Sequence, residues 1–149
     1  MTIIRITKEF RFEMAHALKG HDGPCKHIHG HSYVLYVTLI GTPVSDPASP
    51  ELGMIIDFGK LKKIVRENIV DEFDHAMALS KEYAKEIFDN QDELFHKLIL
   101  LDYQPTCENL LSDFASRIQS GLPKTVSLHS MKLWETVTAY AEWFASDNE

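Results

Sequence analysis

The first forty residues constrain this chain more than any other stretch. In "IIRITKEFRFEMAH" (3–16), Ile4, Ile6, Phe10, Phe12 and Met14 share one parity, and Arg5, Thr7, Glu9, Arg11 and Glu13 share the other. A helix would scatter such a pattern around its circumference. A strand with one buried face turns it into an apolar side and a polar side. The stretch "HSYVLYVTLIG" (31–41) is β-branched and aromatic, which predicts a second strand. Its apolar residues fall on both parities, so burial of both faces is expected, with helices on one side and a partner subunit on the other. Between the two lies "LKGHDGPCKHI", where Gly20, Asp22, Gly23 and Pro24 are turn formers.

If these strands make an antiparallel hairpin, the chemistry follows from the pairing. His29 and His31 are two apart and point to one face, roughly 6–7 Å from each other. His16 continues the apolar parity of the first strand and comes opposite that pair. The result is three imidazoles on one face, with Gly30 between two of them relieving crowding. Such a set suits a zinc ion with Zn–N bonds of about 2.0–2.1 Å and leaves a fourth position open, the catalytic rather than the structural pattern. A random scatter of surface histidines explains this poorly, because five of the eight histidines fall between positions 16 and 31. Other metal scaffolds fit less well. A cupin needs a glutamate soon after its H-x-H, and a metallo-hydrolase needs H-x-H-x-D-H, whereas Ser32 follows here.

Cys25 sits between Pro24 and Lys26 in the same loop. Lys26, the histidines and a divalent cation would each lower a thiol's pKa, making it a base or nucleophile. Spacing alone equally allows a fourth metal ligand. Asp74 and His75, in "FDHAMAL", close a helix, and a histidine there also suits the helix dipole. Glu135 ends the apolar run "MKLWE" and would be costly in a core without a partner. Its carboxylate can accept two parallel N–H bonds from a donor-rich heterocycle.

The remaining segments predict an α+β chain. Asp57 is the N-cap of a helix through about Phe73, with Phe58, Leu61, Ile64, Val65, Ile69 and Phe73 as its stripe. A second helix starts near Thr106 and ends at Gly121 and Pro123. Residues 81–101 are expected to be helical, interrupted at Asp89-Asn90. "VSLHSMKLWE" and "VTAYAEWF" are strand candidates. Runs of strands set apart from helices suggest an antiparallel sheet with helices on one face. The 149 residues make one domain, 1–149.

The net charge of −7 argues against nucleic acid as a partner. Arg5, Lys8 and Glu9 interrupt the N-terminal apolar residues, so neither a signal peptide nor a membrane span is expected. Two cysteines are too few for a disulfide framework. A cytoplasmic, reducing setting is therefore expected, with Cys25 a free thiol.

Taken together, "FRFEMAHAL", Cys25 followed by "HGH", "MIIDFGKLK", "FDH", "PTCENL" and "WET" resemble the 6-pyruvoyl-tetrahydropterin synthase / 6-carboxytetrahydropterin synthase family, in family order over nearly the whole chain. The resemblance implies the tunnelling fold (T-fold): a four-stranded antiparallel sheet with two main helices on one face, here with the extra helical segment around 81–101. It implies His16, His29 and His31 as Zn2+ ligands and Cys25 as the catalytic thiol. Asp74 and His75 are its partners, contributed by a neighbouring subunit of a homohexamer built as a dimer of trimers. Glu135 is the carboxylate that holds the pterin, and Thr106 and Glu108 are further substrate-binding positions. No organic cofactor is implied.

The implied reaction converts 7,8-dihydroneopterin triphosphate to 6-carboxy-5,6,7,8-tetrahydropterin, acetaldehyde and triphosphate, a lyase step of queuosine and 7-deazapurine biosynthesis. The alternatives are the pyruvoyl branch, which eliminates triphosphate without breaking a carbon–carbon bond, and a non-catalytic zinc or pterin-binding module. The chain departs from compact members of the family in the twenty-five or so residues after "FDHAMAL", and in Ser80 where an asparagine would be typical. His27 is a fourth nearby imidazole with no assigned role.

Overall fold

The computed structural model describes residues 2–86 and 91–149. β1 (Ile4–His16) and β2 (His29–Gly41) form the antiparallel hairpin that the alternation predicts. β5 (Ser127–Thr136) pairs antiparallel with β2, and β6 (Ala139–Phe144) with β5. These four strands are the expected antiparallel set.

Two further strands extend the sheet beyond β1. β3 (Ala76–Ser80) lies parallel to β1 at Met14–His16, and β4 (Lys97–Leu101) lies parallel to β3. The sheet therefore has six strands in the order β4-β3-β1-β2-β5-β6 rather than four. The expectation of helix throughout 81–101 is corrected with it. Lys81–Glu86 is a 3₁₀ segment, α3 (Gln91–Leu94) is a single turn, and 97–101 is β4; residues 87–90 of that expected segment lie outside the described residues. "KLILL" is a short apolar run with no period, and only its neighbours decide between helix and strand. Leu98 and Leu100 pack on Ala17, Met77 and Leu79, whereas Ile99 and Leu101 join the main core. Being apolar on both sides suits a parallel strand covered on both faces.

The main helices cover one face of the sheet. The Asp57 carboxylate accepts from the Gly59 and Lys60 amides and caps α1 (Phe58–Val65). The helix runs on through a π-helical segment (Arg66–Val70) into a last turn, α2 (Asp71–Phe73). Thr106 caps α4 (Cys107–Gly121) through its hydroxyl, which accepts from the Asn109 amide at 3.2 Å. Leu61, Val65, Ile69, Phe73, Leu110, Phe114 and Ile118 press onto Phe10, Phe12, Met14, Tyr33, Leu35, Val37 and Leu39. Each such side chain contributes about 1.5–3 kcal/mol by leaving water.

β2 differs from its expectation on the opposite face. Tyr33, Leu35, Val37 and Leu39 are fully buried, but Val34, Tyr36, Thr38 and Ile40 are only half covered by the chain itself. No helix among the described residues is long and apolar enough to cross a membrane.

Candidate metal centre and its surroundings

The register of the hairpin places His16 directly opposite His29, and Met14 opposite His31. The ring nitrogens of His16, His29 and His31 come within 4.8 Å of one another. Two of the rings are held by main-chain carbonyls. His16 Nδ1 donates to Pro105 O at 2.7 Å, and His29 Nδ1 donates to His27 O at 2.7 Å. A carbonyl can only accept, so each bond fixes the tautomer with the Nε2 lone pair free. The Nε2 atoms of His16 and His29 then face each other at 3.1 Å. Two lone pairs at that separation repel unless a cation lies between or beside them. The Nε2 of His31 is buried without a hydrogen-bond partner.

Burial pushes the His16 imidazole down to about 4, against the Pro105 carbonyl, which favours the charged form, and with the help of neighbouring His29 and His31. Burial also lowers His31, opposed by the Glu135 carboxylate. Burial thus disfavours the charged form of His16 and His31, and the three-imidazole set fits a zinc ion with one position open. Gly30 has a different reason from the one the sequence suggested. A Cβ there would lie 3.3 Å from the Met14 carbonyl, so the close neighbour is the β1 backbone and not an imidazole.

Glu135 lies where the β5–β6 register shifts between Trp134 and Thr136. Such a bulge re-aims a side chain, and the Glu135 carboxylate comes 3.8 Å from His31 Nε2. Beneath it Tyr33 continues the parity of His29 and His31, stacks on Phe12 at 5.0 Å, and buries its hydroxyl without a partner. Cys107 donates to Leu133 O at 3.3 Å, and burial, reinforced by Glu135, pushes its thiol up to about 12. That cysteine is inert packing. Cys25 is half-exposed on a 3₁₀ turn (Pro24–Lys26).

Asp74 and His75 are tied to the same strand but serve its other side. The Asp74 carboxylate accepts from the Glu13 amide at 2.9 Å, and the His75 amide donates to Glu13 O at 2.6 Å. His75 Nδ1 is 3.1 Å from Asp74 Oδ1. Burial opposes ionisation of Asp74, but the Glu13 amide, His75 and Lys97 together hold its carboxyl below the usual range. His75 has φ 61, a left-handed conformation that glycine usually fills at a helix end. It lines a groove of about 470 Å³ with Glu13, Ala15, Ser32 and His96, which also reaches Gly30 and His31 of β2. In β1 and β2, Glu13, Ala15 and Ser32 have the parity opposite to the imidazoles. Among the described residues, no hydrogen bond or ion pair links Cys25 to Asp74 or His75.

The structure thus brings together His16, His29, His31 and Glu135. It leaves Cys25 on a neighbouring loop and Asp74–His75 across the sheet. Thr106 spends its hydroxyl on the cap, and Glu108 is exposed in the first turn of α4, where negative charge suits the dipole. His27 is exposed and contributes its carbonyl rather than its ring. The sequence reading missed Pro105 and His27 as orienting groups, since a main-chain carbonyl has no residue-type signal. Tyr33 did carry one, as the next residue on the parity of the H-x-H pair.

The family model described as 6-pyruvoyl tetrahydropterin synthase matches residues 5–146. The chain belongs to this family. It is 35% identical over 143 residues to a Haemophilus influenzae protein named 6-carboxy-5,6,7,8-tetrahydropterin synthase, covering 95% of this chain and 99% of that one. The Caenorhabditis elegans 6-pyruvoyl tetrahydropterin synthase structure superposes with a TM-score of 0.69 at 26% identity, covering 97% of each chain. An uncharacterized Wolinella succinogenes protein superposes with a TM-score of 0.79 at 20% identity, covering 97% of this chain and 99% of that one, and shows the shared fold. The expected family and fold are borne out, with β3 and β4 as additions to the expected sheet.

Proposed function

We propose that this chain is a zinc-dependent 6-carboxy-5,6,7,8-tetrahydropterin synthase. It would convert 7,8-dihydroneopterin triphosphate to 6-carboxy-5,6,7,8-tetrahydropterin, acetaldehyde and triphosphate, a step of queuosine and 7-deazapurine biosynthesis in the cytoplasm. The observation that carries this reading is the set of three imidazoles, two of them with Nδ1 tied to carbonyls, converging beside the Glu135 carboxylate. The names of the relatives support the carboxy branch over the pyruvoyl one.

His16, His29 and His31 would hold the zinc. When bound, it would supply Lewis-acid polarisation of the substrate's side-chain hydroxyls, which acidifies the neighbouring C–H bonds. Glu135 accepts the ring N–H groups of the pterin and sets its side chain towards the triad. Thr106 and Glu108 lie at the N-terminal end of α4 and complete the ring-binding side. Cys25, as thiolate, takes and returns protons at the side-chain carbons. Asp74 orients His75, and that pair reaches the thiol from a neighbouring copy in a dimer of trimers, because in its own chain it faces the other side of the sheet.

The test is incubation of the zinc-loaded protein with dihydroneopterin triphosphate followed by mass analysis. Carboxypterin with acetaldehyde is expected. A pyruvoyl product would move the chain to the other branch, and no turnover with zinc bound would overturn both.

A further inference from the structure

A loop is a compliant support for a reacting group, and Cys25 stands on one, residues 17–28. Its backbone is nonetheless tied down in sequence. The Leu18 amide donates to the Cys25 carbonyl at 3.0 Å, joining the thiol-bearing turn to the root of the loop. The next residue, Lys19, is gripped through both of its main-chain groups by one side chain. Gln104 Nε2 donates to Lys19 O at 2.8 Å, and Gln104 Oε1 accepts from the Lys19 amide at 3.2 Å.

The two residues after Gln104 hold other parts of the site. The Pro105 carbonyl receives His16 Nδ1, and the Thr106 hydroxyl caps α4. Gln104 is fixed in turn, because its own carbonyl accepts from the Thr106 amide at 2.8 Å and from Asn109 Nδ2 at 3.0 Å. Three consecutive residues therefore bind the Cys25 loop, a metal-facing imidazole and a helix terminus.

A second contact closes on Lys19 from outside. Its ammonium donates to Glu86 Oε1 at 2.9 Å and to Glu82 O at 3.0 Å, and lies 4.9 Å from the centre of the Tyr83 ring. Tyr83 packs on Ala17, Met77 and Leu79. The 3₁₀ stretch Lys81–Glu86 therefore braces the same loop.

We propose that Gln104 is a positioning residue: it sets the Cys25 loop against the His16 imidazole, with Lys19–Glu86 as an outer brace. This inference rests on the lyase reading only for its consequence in turnover. Displacing a reacting group by about 1 Å costs on the order of 100-fold in rate, so a small loosening of the loop is enough to matter.

The test compares the zinc-loaded full chain with its Gln104→Met variant, which keeps the side chain's length and removes both bonds. Metal content is expected to stay the same. The Lys19 amide should exchange with solvent about tenfold faster, and iodoacetamide should alkylate Cys25 severalfold faster. kcat should fall on the order of 10- to 100-fold with KM changed by less than about twofold. Gln104→Glu keeps an acceptor for the Lys19 amide and loses the donor, so it should fall between the two.

Unchanged Lys19 exchange and Cys25 alkylation would overturn the proposal. So would loss of metal in step with kcat, which would show a general role in holding His16. If the unmutated protein binds zinc and turns nothing over, the lyase reading fails alone, and exchange and alkylation still decide the role of Gln104. Should Gln104→Met not fold, Glu86→Ala loosens the loop from its exposed side. A smaller rise in alkylation supports the proposal there, and no change overturns it.

Discussion

The imidazole triad and the Asp74–His75 pair both use strand β1 and are built in opposite ways. His16, His29 and His31 are brought together by the register of one hairpin, and the buried rings among them lose their charge to that burial. Asp74 and His75 are gripped through main-chain bonds to Glu13 and stay accessible on the reverse side of the sheet. One half is complete within a single chain. The other is preorganised but turned away from it. A hairpin suffices to gather three imidazoles, whereas under the proposed function Cys25 and the Asp74–His75 pair need a second copy to meet.

The sharpest way to break that contrast is to remove one side of it. His31→Ala should abolish metal retention after dialysis and lower turnover by more than about 1000-fold, since three ligands are the minimum of an open zinc site. Cys25→Ala should lower turnover comparably while metal analysis shows a full complement. Loss of metal there would make Cys25 a ligand.

A second test asks whether the two halves come from different copies. His31→Ala and His75→Ala, each inactive alone, should regain a measurable part of the wild-type rate when unfolded and reassembled together. Mixtures as dead as their parents would place both halves in one chain.

A third separates stability from turnover at His75. A non-glycine residue in the left-handed region costs about 1–2 kcal/mol, less the greater chain entropy that glycine loses. His75→Gly should therefore raise the unfolding free energy in urea by about 1 kcal/mol while turnover is lost. A destabilised variant would show that the Asp74–His75 contact outweighs the backbone.

The smallest effect concerns acid stability. The Asp74 carboxyl is held below its ordinary value, so its contribution is fully present above the unfolded value of about 3.9 and is lost as pH falls through the folded one. The difference in urea midpoint between wild type and Asp74→Asn should be constant near neutrality and shrink below about pH 4.

What could be read from the letters was what side-chain periodicity encodes. The alternation of Ile4 to Met14 gave β1 and its buried face. Asp57 and Thr106 marked the helix starts, and the parity of His16, His29 and His31 put three rings on one side. "AMALS" and "KLILL" have no legible period because each is a run of four consecutive apolar residues, and their pairing partners are far away in the chain. The apolar second parity of β2 was read correctly as a pattern, yet the chain alone leaves that face half covered. The groups that aim the imidazoles were invisible for a stricter reason. They are carbonyls of His27 and Pro105, and every residue has one. That Asp74 and His75 are tied to the main chain of Glu13 rather than to Cys25 follows from long-range pairing, which local pattern cannot supply.

The pairing of His16 with His29 also governs which length changes this chain can inherit. A length change in the 17–28 connection would leave that register intact, although it would shift the bonds at Leu18 and Lys19 that hold Cys25. Deleting one residue of β2 between His31 and Leu35 would send either the imidazoles or the apolar row to the wrong side, because side chains alternate every residue. The strands around the three imidazoles must therefore keep their length residue for residue, whereas the connection between them does not set their register.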